Sequence, residues 1–368
     1  MGLYDSWLNL RDACLTSERF HRFAERFPLT RPIVRKRQSE IFDIVSGFVH
    51  TQILLACVEL NVFERIGSGQ TIADLSSQIG LGVDETRRLV EGAASLRLLQ
   101  KRGARYRLGD LGAALVATPG ALAMIRHHPH FYRDLEDPVG FLQKGRQETN
   151  LSRFWDYAAN PAPEDEATAQ VYSELMATSQ AMISREILAA YDFSGHQTLL
   201  DMGGGHGVFL RAVGAQYSHL KLQVFDLPAV ASQAEAILQA SAIRDRVEVF
   251  AGSFFDDALP RGADLISLVR ILHDHDDAPA QAIVQVAYDA LPEGGTLLMC
   301  EPMLTGDSAA RISAAYFNFY LYAMGSGTPR SPETLQKMAT DVGFHSTKQI
   351  KTRFPLNASI VAATKSQK

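Results

Sequence analysis

The chain has 368 residues, about twice the size of an ordinary single domain, so two domains or one domain with a large accessory part are expected. Hydrophobic residues make up 46% and charged residues 21%, which excludes a disordered or collagen-like chain and allows ordinary buried cores. A net charge of -5 excludes a surface built wholly for nucleic acid, because neutralising phosphates takes concentrated Lys and Arg.

Cys14, Cys57 and Cys300 lie far apart, in no pairwise or metal-ligand spacing, which points to a reducing, cytoplasmic compartment. The N-terminus lacks a basic start followed by an apolar core, and no apolar run approaches the ~20 residues that span a bilayer. From Arg19 to Arg37, seven basic residues face one acid, Glu25, with Phe20, Phe23 and Phe27 interleaved. Such a segment suits peripheral contact with an anionic membrane face. The alternative is a solvated helix whose phenylalanines dock on the protein's own body.

Ile41 to Leu60 is apolar around most of a helix and must be buried or lie at a subunit interface. The next stretch, to about Leu115, reads as short helix, turn, second helix and a hairpin tipped by Gly103, the order of a winged helix, with Thr71 and Asp84 as N-caps. Taken alone it suggests a DNA-binding regulator. Its second helix, Asp84 to Leu96, mixes Arg87 and Arg88 with Glu85 and Glu91, so it is no basic reading head.

Between Pro119 and Asp192 the pattern is helical and rich in bulky groups, including His127, His128, Phe131, Phe154, Trp155, Tyr157, Tyr172 and Met176. Pro161 and Pro163 mark a break before a long helix, Glu166 to Ala190. Strands are expected at Thr198–Met202, Lys221–Phe225, Val247–Phe250, Leu265–Val269 and Thr296–Cys300, alternating with helices as in a doubly wound parallel sheet. Two more, Lys348–Arg353 and Ser359–Thr364, would form an antiparallel edge. The resulting division is residues 1–115 as helices and winged helix, 116–190 as helical linker and substrate cover, and 191–368 as the α/β catalytic domain.

The strongest local signal is LLDMGGGHGVFL, where a strand ends in Asp201 and runs through Gly203, Gly204, Gly205 and Gly207 into a helix. Glycines permit the sharp turn and the close approach of a ligand. A nicotinamide fingerprint from Gly203 would need Gly or Ala where Val208 stands; acid-x-Gly-x-Gly-x-Gly is satisfied instead, the form found at S-adenosylmethionine (SAM) sites. Nineteen residues after Gly207, Asp226 ends the second strand, where an acid can accept from both ribose hydroxyls. After the third strand, Ser253 and Phe254 are placed for the adenine edge and face.

The fourth strand runs into RILHDHDDAP. His273 then sits at the carboxyl end of a central strand, where a neutral imidazole can take a proton from a substrate hydroxyl. A structural alternative makes it a cap of the following helix. The run His273 to Asp277 does not read as a metal site, since adjacent residues at such a turn diverge. Glu301, ending the fifth strand, is placed to orient His273; alternatively it is satisfied by backbone or by Arg270.

These elements, in this order, resemble the SAM-dependent small-molecule O-methyltransferases of the plant caffeate and hydroxyindole type. The match runs from about Ile41 to the end and includes DMGGGHG, FDLP, GSFF, ILHDHDD, CEP and GTPRSPETLQKMATDVGF. The resemblance implies a Rossmann-like class I methyltransferase with a winged-helix dimerisation domain, a homodimer, and His273 as general base assisted by Glu301. It implies cofactor contacts at Asp201, Gly203, Gly204, Gly205, Asp226, Leu227, Ser253, Phe254 and Arg270, and no metal. A second assisting acid of the family falls at Pro329 and is absent; Val269 stands where the family has a lysine, and Ser253 where it has an acid.

Within that family the chain is most similar to the carotenoid O-methyltransferases of purple photosynthetic bacteria, through the segment Arg19 to Phe63, FYRDLEDPVGFL, SLVRILHDHDD and MGSGTPRSPE. This implies methylation of a tertiary hydroxyl on a hydroxycarotenoid. The aromatic and Met residues of 127–182 and of Ala314 to Met324 suit a long apolar substrate, and equally suit core and dimer interface. A bacteriochlorophyll or quinone intermediate is the alternative on the same scaffold, and a winged-helix transcriptional regulator the remote one.

Overall fold

In a computed structural model, which describes residues 2–159, 166–304, 308–353, 355 and 358–366, the chain divides into two units, Met1–Ala117 and Thr118–Lys368. The first opens with helices α1 (Leu3–Thr16), α2 (Glu18–Arg26) and α3 (Arg31–Glu59). Ser17 caps α2 by accepting from the Phe20 amide, and Pro32 sits in the first turn of α3, where its missing N–H costs nothing. On α3 only Cys57 and Val58 are buried, while Phe42, Ile44 and Phe48 are 67%, 81% and 71% exposed. Of the two placements expected for this apolar helix, the single chain does not provide the buried one. Contrary to expectation, α3 is also long and apolar enough to cross a membrane by length and composition, because its aliphatic majority outweighs Asp43, His50 and Gln52.

After α4 (Val62–Arg65) come α5 (Ile72–Ile79), α6 (Val83–Ser95), the hairpin β1 (Leu99–Arg102) and β2 (Arg105–Leu108), and α7 (Asp110–Val116). This is the expected winged-helix order. Thr71 caps α5 by accepting from the Asp74 amide. The N-cap of α6 is Gly82, however; Asp84 lies inside the first turn, where its charge meets the positive end of the helix dipole without capping it.

The second unit begins with α8 (Pro119–Asp134), α9 (Pro138–Gln143), α10 (Asn150–Ala159) and α11 (Glu166–Ala190). The Pro161–Pro163 break and the side chains of Tyr157, Tyr172 and Met176 lie outside the described residues. Then follow β3 (Thr198–Met202), α12 (Val208–Gln216), β4 (Lys221–Asp226), α13 (Pro228–Gln239), β5 (Val247–Ala251), β6 (Leu265–Val269), α14 (Asp277–Ala290), β7 (Thr296–Glu301), α15 (Ser308–Met324), α16 (Pro332–Val342), β8 (Ser346–Ile350) and β9 (Ser359–Thr364).

The strands form one sheet in the order β5-β4-β3-β6-β7-β9-β8, parallel except where β9 runs against β7 and β8. β6 and β7 are buried along their whole length, as mostly apolar runs covered on both faces should be. One face packs around Met202, Leu268, Ile283 and Met299, the other around Leu199, Phe209, Leu222 and Ile360. β8 starts at Ser346 rather than Lys348, since its pairing with β9 runs from Ser346 opposite Thr364 to Ile350 opposite Ile360. Because β3 neighbours both β4 and β6, the chain switches direction across the sheet there, and the carboxyl ends of β3 and β6 frame the crevice where open α/β sheets bind ligands.

The wing is seated by a close approach at Gly112 of α7, whose absent side chain would collide with the Leu98 carbonyl. Alanine in a helix normally gains up to ~1 kcal/mol over glycine, but overpacking against backbone costs ~1–3 kcal/mol. Gly112→Ala is therefore expected to destabilise the protein, read as a lower midpoint in urea or thermal unfolding.

Candidate active site

The glycine loop after β3 owes its path to three left-handed residues, Gly203, Gly205 and Gly207, with φ of 75°, 53° and 69°. A side chain at Gly203 would also strike Ile271 and crowd Phe254. The loop is tied to β4 by its acid: the Gly205 amide donates to Asp226 Oδ2 and the Leu227 amide to Oδ1, both at 2.8 Å. Burial pushes the Asp226 carboxyl above the usual range, against these two bonds, which favour its charge. Asp201 is buried behind Gly204 and accepts from Ser267 Oγ at 2.6 Å. Burial raises it to about 7, with the Ser267 bond opposing and Asp226 adding to the rise.

Beyond β6 the backbone turns sharply. Arg270 has φ 59°, uncommon for a residue with a side chain, and its amide donates to the Cys300 carbonyl. Glu301 then anchors the turn: its Oε1 accepts from the Ile271 and Leu272 amides at 2.9 and 2.8 Å, and its Oε2 holds His273 Nδ1. The carboxylate is thus satisfied by backbone and imidazole together, and no ion pair joins it to Arg270 among the described residues. His273 lies in a single 3-10 turn, Leu272–Asp274, while α14 begins at its own N-cap, Asp276, so His273 does not cap that helix.

With Nδ1 taken by Glu301, Nε2 is the nitrogen left to accept a proton, and Asp274 Oδ1 lies 3.1 Å from it. Burial alone would lower the imidazole, but the Asp274 and Glu301 charges and the Glu301 bond outweigh it, and His273 is raised above the ordinary 6.5. Pro329 offers no carboxylate, as expected. The late segment supplies Arg330 instead, almost fully buried, which donates to the Leu272 and His275 carbonyls at 2.6 and 2.8 Å and pairs with Asp277. Gly327 packs on the His273 carbonyl, which accepts from the Thr328 amide.

A cavity of about 270 Å³ opens at this point. It brings together Gly203, Gly205, Asp226, Leu227, Arg270 and His273, with Asp274 beside them. Glu301 and Asp201 stand behind its wall, and Gly204, Ser253 and Phe254 do not line it. Ser253 Oγ is engaged by the Phe255 amide, and Phe254 leans on Phe225, with ring centroids 6.2 Å apart.

The opposite wall is aromatic, with Trp155, Tyr316, Phe317 and Tyr320 beside Met124 and Met324. Its polar tips are satisfied internally: Tyr320 Oη lies 2.7 Å from His127 Nε2 and accepts from Trp155 Nε1, and Tyr316 Oη lies 2.8 Å from His128 Nε2. Burial lowers His127 to about 3 and His128 to about 4, so both are neutral bonding partners rather than cations. Among the described residues no group of three or more His, Cys, Asp or Glu is gathered to hold a metal ion.

Sequence reasoning missed three members of the site. Asp274 was legible only as a neighbour of His273, Gln180 on α11 carried no signal, and Arg330 was hidden between two prolines in TPRSPE. Asp274 provides a direct check on the electrostatics. In Asp274→Asn the His273 imidazole is expected to titrate at lower pH than in the wild type, where NMR should place it above 6.5.

Comparison with known proteins agrees with this architecture. Residues 132–345 match the O-methyltransferase domain and residues 42–118 the O-methyltransferase dimerisation domain, which supports a homodimer. The chain is 40% identical to demethylspheroidene O-methyltransferase of Rhodobacter capsulatus, over 94% of this chain and 87% of that one. It is 42% identical to the enzyme of the same name from Cereibacter sphaeroides, over 95% and 93%. Among solved structures, human N-acetylserotonin methyltransferase superposes with a TM-score of 0.71 at 23% identity, over 90% of this chain and 98% of that one. The methyltransferase SibL does so with 0.78 at 20%, over 89% and 99%. These two share the fold. Together with the glycine loop and the buried His273–Glu301 pair, the matches show that the chain belongs to the O-methyltransferase family.

Proposed function

We propose that the protein is a cytoplasmic, homodimeric, SAM-dependent O-methyltransferase that methylates the tertiary hydroxyl of a hydroxycarotenoid of the demethylspheroidene or hydroxyneurosporene type. The observation that carries this reading is the buried His273–Glu301 pair, whose imidazole lines a cavity with a glycine loop and Asp226 on one side and an aromatic wall on the other. The identity of 40% and 42% over nearly the whole chain to two demethylspheroidene O-methyltransferases supports the substrate. In this reading residues 1–115 dimerise, 116–190 cover the substrate and 191–368 carry the catalytic sheet.

The chain's own groups suit SAM. Gly205 leaves open space where a side chain would stand, and each Asp226 oxygen keeps acceptor capacity beyond its one backbone donor, enough for the ribose hydroxyls. Arg270 Nε is buried without a hydrogen-bond partner among the described residues, and suits an acceptor or anionic group of the cofactor. Gly203 and Leu227 shape the same wall, with Asp201, Gly204, Ser253 and Phe254 behind and beside it. When bound, SAM supplies a methyl carbon activated by the adjacent sulfonium.

His273 Nε2 is the acceptor for the proton that the substrate hydroxyl gives up on becoming a methyl ether, the methyl group being the one that bound SAM would supply. Glu301 keeps the Nδ1 proton in place and stabilises the imidazolium that forms. Asp274 adds to that stabilisation. Because the base must be neutral, its raised value makes turnover grow with pH through a point above 6.5.

Incubating the purified protein with methyl-labelled SAM and extracts of carotenoid and bacteriochlorophyll precursors tests the assignment. A labelled methoxycarotenoid is expected; label in a bacteriochlorophyll or quinone intermediate would transfer the mechanism to that substrate. His273→Ala should lower kcat about 10²–10⁴-fold with little change in SAM affinity. Asp226→Ala should instead weaken SAM binding, measured by calorimetry, by about 10- to 100-fold. Unchanged turnover in the first, or unchanged affinity in the second, would remove the corresponding role.

A further inference from the structure

The stretch Arg19 to Arg37 has no part in the chemistry described above, yet its surface is unusual. All seven of its basic residues are exposed. Lys36 reaches Glu40 at 3.9 Å, and the other six have no carboxylate within 4.0 Å among the described residues. The one acid within the stretch, Glu25, is engaged by Gln38.

On α2 the side chains sort by direction. Ala24 is buried against the rest of the unit. Arg19, Arg22 and Arg26 recur at helical spacing on the opposite side, with Phe20, Phe23 and Phe27 in the adjoining stripe. The three phenylalanines are 39%, 59% and 40% exposed, so each keeps part of its ring open to solvent. Leu29 and Ile33 extend the apolar stripe at 77% and 55% exposure, and Trp7 of α1 is 57% exposed. The apolar face of α3 from Phe42 onward falls within the match to the dimerisation domain, which begins at residue 42. The stretch before it lies outside both family domains. An apolar stripe bordered by uncompensated cations complements a surface that is anionic outside and hydrocarbon beneath.

We infer that α2 and the first turns of α3 form a docking surface for an anionic phospholipid bilayer. Phe20, Phe23 and Phe27 enter the boundary between headgroups and acyl chains, and the cations bordering them meet the phosphates. This deepens the proposed function, since it brings the active site to where a lipid-dissolved polyene resides, but the docking itself requires no substrate.

Co-sedimentation of the full-length protein with vesicles, in the absence of SAM and carotenoid, therefore tests it independently of the substrate assignment. The protein should bind vesicles of mixed phosphatidylcholine and phosphatidylglycerol at least about tenfold more tightly than pure phosphatidylcholine, and lose that preference at high salt. A triple variant Arg19→Gln, Arg22→Gln, Arg26→Gln should weaken binding at least about tenfold with the dimer intact by light scattering. A second triple variant, Arg35→Gln, Lys36→Gln, Arg37→Gln, should do the same and covers the case in which the first misfolds. Equal binding to both vesicle types, or wild-type binding by both variants, would overturn the inference. Dissociation of the dimer in well-folded variants would also overturn it, by assigning the surface to a second copy.

Discussion

The geometry of this site depends on one buried carboxylate. Glu301 is 2% exposed, and an ionised acid taken so far from water is stable only if its acceptors are filled. Three donors fill them: the amides of Ile271 and Leu272, and Nδ1 of His273. Hydrogen bonds to a charged group are worth ~1.5–3 kcal/mol each, so together they offset a penalty of several kcal/mol. The same bonds hold the backbone in the turn that follows β6, including the left-handed Arg270. Removing the carboxylate would therefore disturb the base, the turn and the cavity wall at once.

Arg330 completes the arrangement from the opposite side. Where Glu301 receives backbone donors, Arg330 gives its protons to backbone acceptors, the carbonyls of Leu272 and His275. The residues between these two anchors, His273 and Asp274, are held at both ends of a single turn. The aromatic wall uses the same physics without charge. His127 and His128, kept neutral by burial, give the hydroxyls of Tyr320 and Tyr316 partners on α8, and Trp155 adds a donor from α10. Three helices are thereby fixed around an apolar cavity without leaving those hydroxyls unpaired.

Much of this was legible in the sequence, for reasons that can be named. Strands such as Leu265–Val269 are buried on both faces and read as apolar runs broken only by Ser267, and three of the glycines after Asp201 stand where the backbone needs positive φ. His273 and Glu301 could be paired in advance because parallel neighbours bring equivalent strand ends together, here β6 and β7. Long-range polar contacts were not legible. Nothing local tells that Arg330 will cross to the β6 turn, 58 residues away, or that His127 will meet Tyr320 across 193. Caps also misled: Asp84 has a capping side chain, but the backbone of Gly82 enters the helix first. The placement of α3 was undecidable from one chain, because an all-round apolar helix serves a core and an interface equally well.

Asp274 and Glu301 together raise the basicity of His273, and Glu301 also holds its Nδ1. The most direct measurement is the pH dependence of kcat, with SAM and substrate saturating, for the wild type and for Glu301→Gln. Because a neutral base is required and the Glu301 charge raises its value, the wild-type rate should climb through a point above 6.5, and the climb should move to lower pH in the variant while the plateau falls. A climb that stays in place or moves to higher pH when the carboxylate is removed would contradict the account.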